Sequence, residues 1–128
     1  MDIRVSGHQV DTGEALREHV DTRIRAADGK YATRLVSVQV TFGKGPHDHG
    51  FTSEIVAYAP QGVVFKATDK AADAHAAFDA AAEKVDKQMR RHMRKVKDRR
   101  ASEPAELLEA AGDSLYGRGE DRSGADRG

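Results

Sequence analysis

A chain of 128 residues without cysteine is long enough to bury the core of one domain, and it excludes disulfide frameworks, zinc ribbons and thiol nucleophiles. Its 21 basic and 21 acidic side chains cancel to a formal charge of zero, yet residues 84 to 100 hold nine Lys and Arg against two Asp, which leaves both flanking segments acidic on balance. No apolar run spans a bilayer and the opening residues Met1 to Ser6 lack the apolar core of a signal peptide, so a soluble, cytoplasmic protein is expected.

Ile3 and Val5 alternate with Asp2, Arg4 and Ser6, the period-two pattern of a first strand with one buried face. Asp11 or Thr12 can cap the helix that follows. Glu14 stands three residues after Asp11, as in a capping box, and Leu16, Val20 and Ile24 then recur every four residues. This spacing predicts a helix from about Gly13 to Ala27, closed at Asp28-Gly29, where glycine can adopt the left-handed conformation. Val36, Val38, Val40 and Phe42 alternate with Ser37, Gln39 and Thr41 in a second strand. Turn formers fill 43 to 50, Phe51 to Ala59 reads as a third strand, Pro60-Gln61-Gly62 as a turn and Val63 to Thr68 as a fourth strand. The last three strands should form an antiparallel meander.

From Ala71 to about Arg99 nothing breaks a helix, and Ala74, Phe78, Ala82, Val85, Met89, Met93 and Val96 fall on one stripe of it. Lys84, Lys87, Arg91, Arg94 and Lys95 project from the opposite side of this rod, which is about 40 Å long. Beyond it, residues 101 to 128 carry three basic against seven acidic side chains and few apolar ones. They are expected to be a mostly disordered acidic tail, with Pro104 to Ala111 able to form a short helix. The order β-α-β-β-β-α, with two helices that each bury one stripe, predicts an α+β two-layer sandwich: a four-stranded sheet with both helices on one face. Residues 1 to 100 would form this domain and 101 to 128 the tail.

A row of cations along a rigid helix suits the tracking of phosphates. A merely solvated face would more often alternate in sign, and an acidic protein or membrane partner is a further reading. Three Tyr and four Phe, most of them needed for the core, leave little for base stacking, so backbone and shape recognition of structured RNA fits better than single-strand reading. Arg17, Arg23, Arg25, Lys30 and Arg34 add positive groups in and after the first helix, diluted by Glu14, Glu18, Asp21 and Asp28. His47-Asp48-His49 holds metal-ligand side chains, but neighbours on a glycine-rich turn do not converge on one ion, and no metal site is expected. His19, His75 and His92 stand isolated on helices, and His92 could assist a phosphate contact when protonated. Gly43-Lys44-Gly45-Pro46 lacks the ending of a phosphate loop and reads as a hairpin turn. No catalytic constellation stands out, and no enzyme activity or cofactor is expected.

Ser6-Gly7-His8-Gln9-Val10-Asp11-Thr12-Gly13-Glu14-Ala15-Leu16-Arg17-Glu18-His19-Val20 resembles the opening of the ribosome hibernation promoting factor and ribosome-associated inhibitor family, once called sigma-54 modulation proteins. Ala76-Ala77-Phe78-Asp79 and Lys87-Gln88-Met89-Arg90, within a longer match that runs to Asp98, are similar to the family's second helix, and Tyr31 sits where an aromatic is expected after the first. The resemblance covers about residues 1 to 99. It implies a fold similar to double-stranded RNA-binding domains, whose helical face docks in the tRNA and mRNA channel of the small ribosomal subunit, inhibits translation and stabilises idle ribosomes. Carried over by position, the rRNA contacts would be Lys84, Lys87, Arg90, Arg91, Arg94 and Lys95 on the second helix, with Arg23, Arg25 and Lys30 near the first. His75 departs from the pattern, standing where members often have tyrosine. Long members carry a C-terminal domain that pairs two ribosomes. The sequence ends at Gly128 without one, so it resembles a short form that would need a separate ribosome-dimerising partner, or a long form cut within its linker. Two readings from other classes stay open: a generic structured-RNA-binding domain, and a protein-interaction module using the basic amphipathic helix.

Overall fold

A computed structural model of the chain describes residues 1–46 and 49–101, with side chains through Lys97. The elements run β1 (Asp2–Gly7), α1 (Glu14–Tyr31), β2 (Ser37–Lys44), β3 (Phe51–Tyr58), β4 (Val64–Ala71) and α2 (Ala74–Ala101), with a short 3-10 turn at Pro60–Gly62 between β3 and β4. The chain divides into two units, Met1–Arg90 and Arg91–Gly128. The sheet, α1 and the first part of α2 belong to the first. The tail expected over 101 to 128, with its short helix at Pro104 to Ala111, lies past Ala101 outside the described residues.

Spatial order in the sheet follows chain order, β1-β2-β3-β4. β1 pairs in parallel with β2, which requires a crossover, and α1 supplies it. β2, β3 and β4 form the expected antiparallel meander. Register aligns the apolar positions: Ile3 lies beside Val38, Val38 opposite Ala57 and Ala57 opposite Phe65, while Val5, Val40, Ile55 and Ala67 form the next row. Because strand side chains alternate between faces, these rows share one side of the sheet. Against them pack Leu16, Val20, Ile24 and Ala27 of α1 and Phe78, Ala81, Ala82, Val85 and Met89 of α2, in one core cluster. Both helices therefore cover one face, as the helical stripes predict, and the rows carrying Gln39, Val56 and Lys66 turn to the other.

The element boundaries differ from the sequence reading in several places, for local reasons. α1 does not end at Asp28-Gly29 but continues to Tyr31, and the left-handed residue that closes it is Ala32 (φ 51°). The Asp28 carboxylate instead accepts hydrogen bonds from the Thr33 hydroxyl and the Leu35 N–H, both at 2.9 Å, and so ties the following turn back onto the helix. At its start no side chain caps α1, whose N-cap is Gly13. Arg17 donates to the Thr12 carbonyl at 3.0 Å there, and the box expected between Asp11 and Glu14 does not form. α2 begins at Ala74 and not at Ala71, because β4 extends to Ala71 in register with Phe51 and the Asp73 carboxylate accepts the Ala76 N–H at 2.8 Å, the geometry of an N-cap. Val36, expected in the buried row of β2, precedes the strand and is 59 % exposed, whereas Val38, Val40 and Phe42 are buried.

The β2–β3 connection turns at Gly45 to Gly50, where the Gly45 N–H donates to the Gly50 carbonyl at 3.0 Å. A Cβ on Gly45 would collide with the His49 carbonyl, and Gly50 takes φ 73°, so this hairpin depends on both glycines. Gly43 and Lys44, read from the sequence as part of the turn, instead continue β2 opposite Thr52 and Phe51, and the turn begins at Gly45.

Candidate nucleic-acid interface

α2 is amphipathic for a simple reason: within the first unit, Ala77, Phe78, Ala81, Ala82, Val85 and Met89 recur every three or four residues and are buried. Lys84, Lys87 and Arg90 occupy the exposed positions between them. In the second unit Arg91, Arg94, Lys95 and Lys97 are exposed, while His92, Met93 and Val96 are half-buried.

The nine cations proposed from the sequence fall into two physical groups. Four already interact within the protein. Arg23 directs two N–H groups at the two oxygens of Asp86, each at 3.2 Å, across the α1–α2 interface, with both side chains less than a third exposed. Arg25 donates to both oxygens of Asp21 one turn earlier on α1, at 3.0 Å. Lys84 bridges to Asp69 at 3.2 Å and donates to the Thr68 carbonyl at 3.4 Å, both on β4. The Lys30 ammonium stands 5.2 Å from the centre of the Tyr31 ring, a cation–π contact. The other five, Lys87, Arg90, Arg91, Arg94 and Lys95, are exposed and form no ion pair with any described residue.

Polar contacts invisible in the sequence order this surface. The Gln88 side chain, one turn after Lys84, accepts the Lys66 N–H at 2.9 Å and donates to the Lys66 carbonyl at 2.7 Å. Asp69 is held below the ordinary carboxylate range, chiefly by the hydrogen bond from the Lys70 backbone N–H and then by Lys84. His19 and His75, isolated along the chain, are brought together. Their ring centres lie 5.2 Å apart, His19 Nε2 is 2.6 Å from an Asp79 oxygen, and His19 meets Phe78 edge-on. Among the described residues no three His, Asp or Glu side chains are placed to hold a metal ion; His47 and Asp48 lie outside them. No helix among the described residues is long and apolar enough to cross a membrane.

Comparison with known proteins agrees with this architecture. The family described as Sigma 54 modulation protein / S30EA ribosomal protein matches residues 3–97. A ribosome hibernation promotion factor of Rhizobium meliloti (strain 1021) is 36 % identical over 98 residues, covering 77 % of this chain and 50 % of the relative. A ribosome-associated factor Y of Haemophilus influenzae is 31 % identical over 103 residues, covering 80 % and 92 %. The chain thus spans about half the length of the Rhizobium relative and of a similar Bradyrhizobium diazoefficiens protein, and nearly all of the Haemophilus one. Among solved structures, the N-terminal domain of Thermus thermophilus Protein Y superposes with a TM-score of 0.63 at 22 % identity, over 72 % of this chain and 99 % of that one, which shows a shared fold.

Proposed function

Since the chain belongs to the Sigma 54 modulation protein / S30EA ribosomal protein family, we propose that it is a ribosome hibernation factor that binds rRNA of the small ribosomal subunit through α2, inhibits translation and stabilises inactive ribosomes. The observation that carries the reading is the set of five exposed cations on α2, Lys87, Arg90, Arg91, Arg94 and Lys95, with no carboxylate partner among the described residues. A cation already paired gains less from a phosphate, because it must give up its carboxylate. An unpaired one releases counterions from the RNA at no such cost. Lys84, Arg23 and Arg25 would have to exchange partners to contact RNA, and Lys30 would have to leave the Tyr31 ring or bind beside it.

Inhibition follows from bulk. A folded domain anchored by its helix in the tRNA and mRNA channel excludes both ligands, and the mechanism needs no catalytic group and no cofactor. The names carried by relatives, ribosome hibernation promotion factor and ribosome-associated factor, support this reading.

The test is co-sedimentation with purified small subunits across a salt series, beside a translation assay, for the wild type and Lys87→Glu/Arg91→Glu/Arg94→Glu. Five phosphate contacts give a slope of log K against log salt of about −4.5, so affinity should fall a few hundred-fold between about 50 and 200 mM salt. The triple variant should lose both binding and inhibition, and tRNA should compete with the wild type. Unaltered binding by the variant would remove α2 from the interface. Binding without tRNA competition would leave a generic structured-RNA binder.

A further inference from the structure

β4 is one of the two edges of the sheet, β1 being the other, and β3 is its only strand partner among the described residues. Outward-facing N–H and C=O groups on such an edge are ordinarily left to water or to another strand. Here α2 takes part of that role. Gln88 presents its amide to Lys66 as a strand residue would, accepting from the N–H at 2.9 Å and donating to the C=O at 2.7 Å. Four residues earlier on the helix and two residues further along the strand, Lys84 donates to the Thr68 carbonyl and pairs with Asp69. The spacing is commensurate: four helical residues rise about 6 Å, and two strand residues about 6.7 Å. Two successive turns of α2 therefore meet two successive outward-facing positions of β4.

The rest of the helix–sheet contact is apolar, and much of it is alanine, with Ala77, Ala81 and Ala82 buried beside Phe78, Val85 and Met89. Apolar contact is non-directional, and alanine leaves shallow ridges that interlock weakly with a facing surface. Such a surface tolerates a modest rotation of the helix about its own axis. A two-point hydrogen bond does not, since rotation lengthens both bonds. Lys87 and Arg90, one residue before and two after Gln88, are exposed, and their direction is set by that rotation.

We propose that Gln88 is a positioning residue for the nucleic-acid face: by pairing with both backbone groups of Lys66 it fixes the rotation of α2 against the edge of β4, so that Lys87 and Arg90 stand clear of the fold. This rests on the reading of α2 as the RNA-binding element.

The full chain carrying Gln88→Met retains side-chain length and a good helix former and loses both bonds. Two readouts are compared with the wild type: amide hydrogen exchange at Lys66, and the salt dependence of small-subunit binding, with circular dichroism and a thermal melt establishing that the variant is folded. Gln88→Leu serves as a second apolar replacement. The expected result is loss of protection at Lys66 together with a salt slope shallower by about one to two, roughly one unit for each phosphate that α2 no longer reaches. A merely structural role would lower the melting temperature and leave the slope of the folded variant unchanged; that outcome overturns the proposal, as does unchanged protection at Lys66. The triple charge reversal on α2 separates the two readings. If it binds like the wild type, the RNA-binding reading falls and this one with it. If it loses binding while folded Gln88→Met keeps the wild-type slope, only the positioning role falls.

Discussion

Arg23 and Lys87 carry the same charge on neighbouring helices, but only Arg23 is paired with a carboxylate among the described residues. The Arg23 guanidinium is forked onto Asp86, and neither side chain is more than a third exposed. Arg23→Gln would leave the Asp86 carboxylate partly buried and unpaired, which costs about 1–3 kcal/mol, between the values for exposed and fully buried pairs. The expected outcome is a melting temperature several degrees lower, with the salt slope of RNA binding unchanged. An unchanged melting temperature with a slope shallower by about one would instead make Arg23 a phosphate contact. The sequence makes these residues visible as cations but hides which are engaged. Arg25 is the exception, because its partner Asp21 lies four residues earlier on the same helix, a spacing that can be read directly. Asp86 lies 63 residues from Arg23, and only the packing of α1 beside α2 brings them together. Gln88 shows in the sequence only as part of the Lys87-Gln88-Met89-Arg90 resemblance, and its role is hidden there: a glutamine on a helix surface is ordinary until a strand edge stands opposite it.

Elements were legible wherever burial on one face imposes a period. The alternation of Val38, Val40 and Phe42 and the four-residue recurrence of Leu16, Val20 and Ile24 each reappear as a buried row. Helix ends were not, because Asp28 and Asp73 act through hydrogen bonds whose acceptor geometry depends on the turn around them. The contact between β4 and α2 has a pH dependence of definite sign. Asp69 is held below its ordinary value of 3.8 by the Lys70 N–H and by Lys84. A carboxylate depressed in the folded state contributes stability that is fully present above the unfolded value and disappears as pH falls through the folded one. Asp69→Asn should therefore be less stable than the wild type at about pH 6, with the difference shrinking as pH falls below the ordinary value of 3.8, by urea unfolding at each pH. A difference that persists undiminished in acid would mean that Asp69 acts through packing and not through its charge.

At the scale of the molecule the zero net charge conceals a separation. Nine cations within residues 84 to 100 face a chain whose remaining segments are acidic, and residues 101 to 128 hold seven acidic side chains against three basic ones. An acidic segment joined to a basic helix acts at high effective concentration, competing with RNA phosphates for the same cations. Specific docking in a channel, with many contacts made at once, should overcome that competition; isolated encounters with random RNA should not. Truncation after Ala101 is accordingly expected to raise affinity for random-sequence RNA several-fold at low salt, with a smaller change for small subunits. The effect should shrink as salt rises, because the screening length falls from about 30 Å at 0.01 M to about 8 Å at 0.15 M. Fluorescence anisotropy with a labelled random RNA over that range provides the measurement. Equal affinities for the full and truncated chains at low salt would show that the acidic segment does not compete for α2, and selectivity would then have to come from the shape of the folded domain alone.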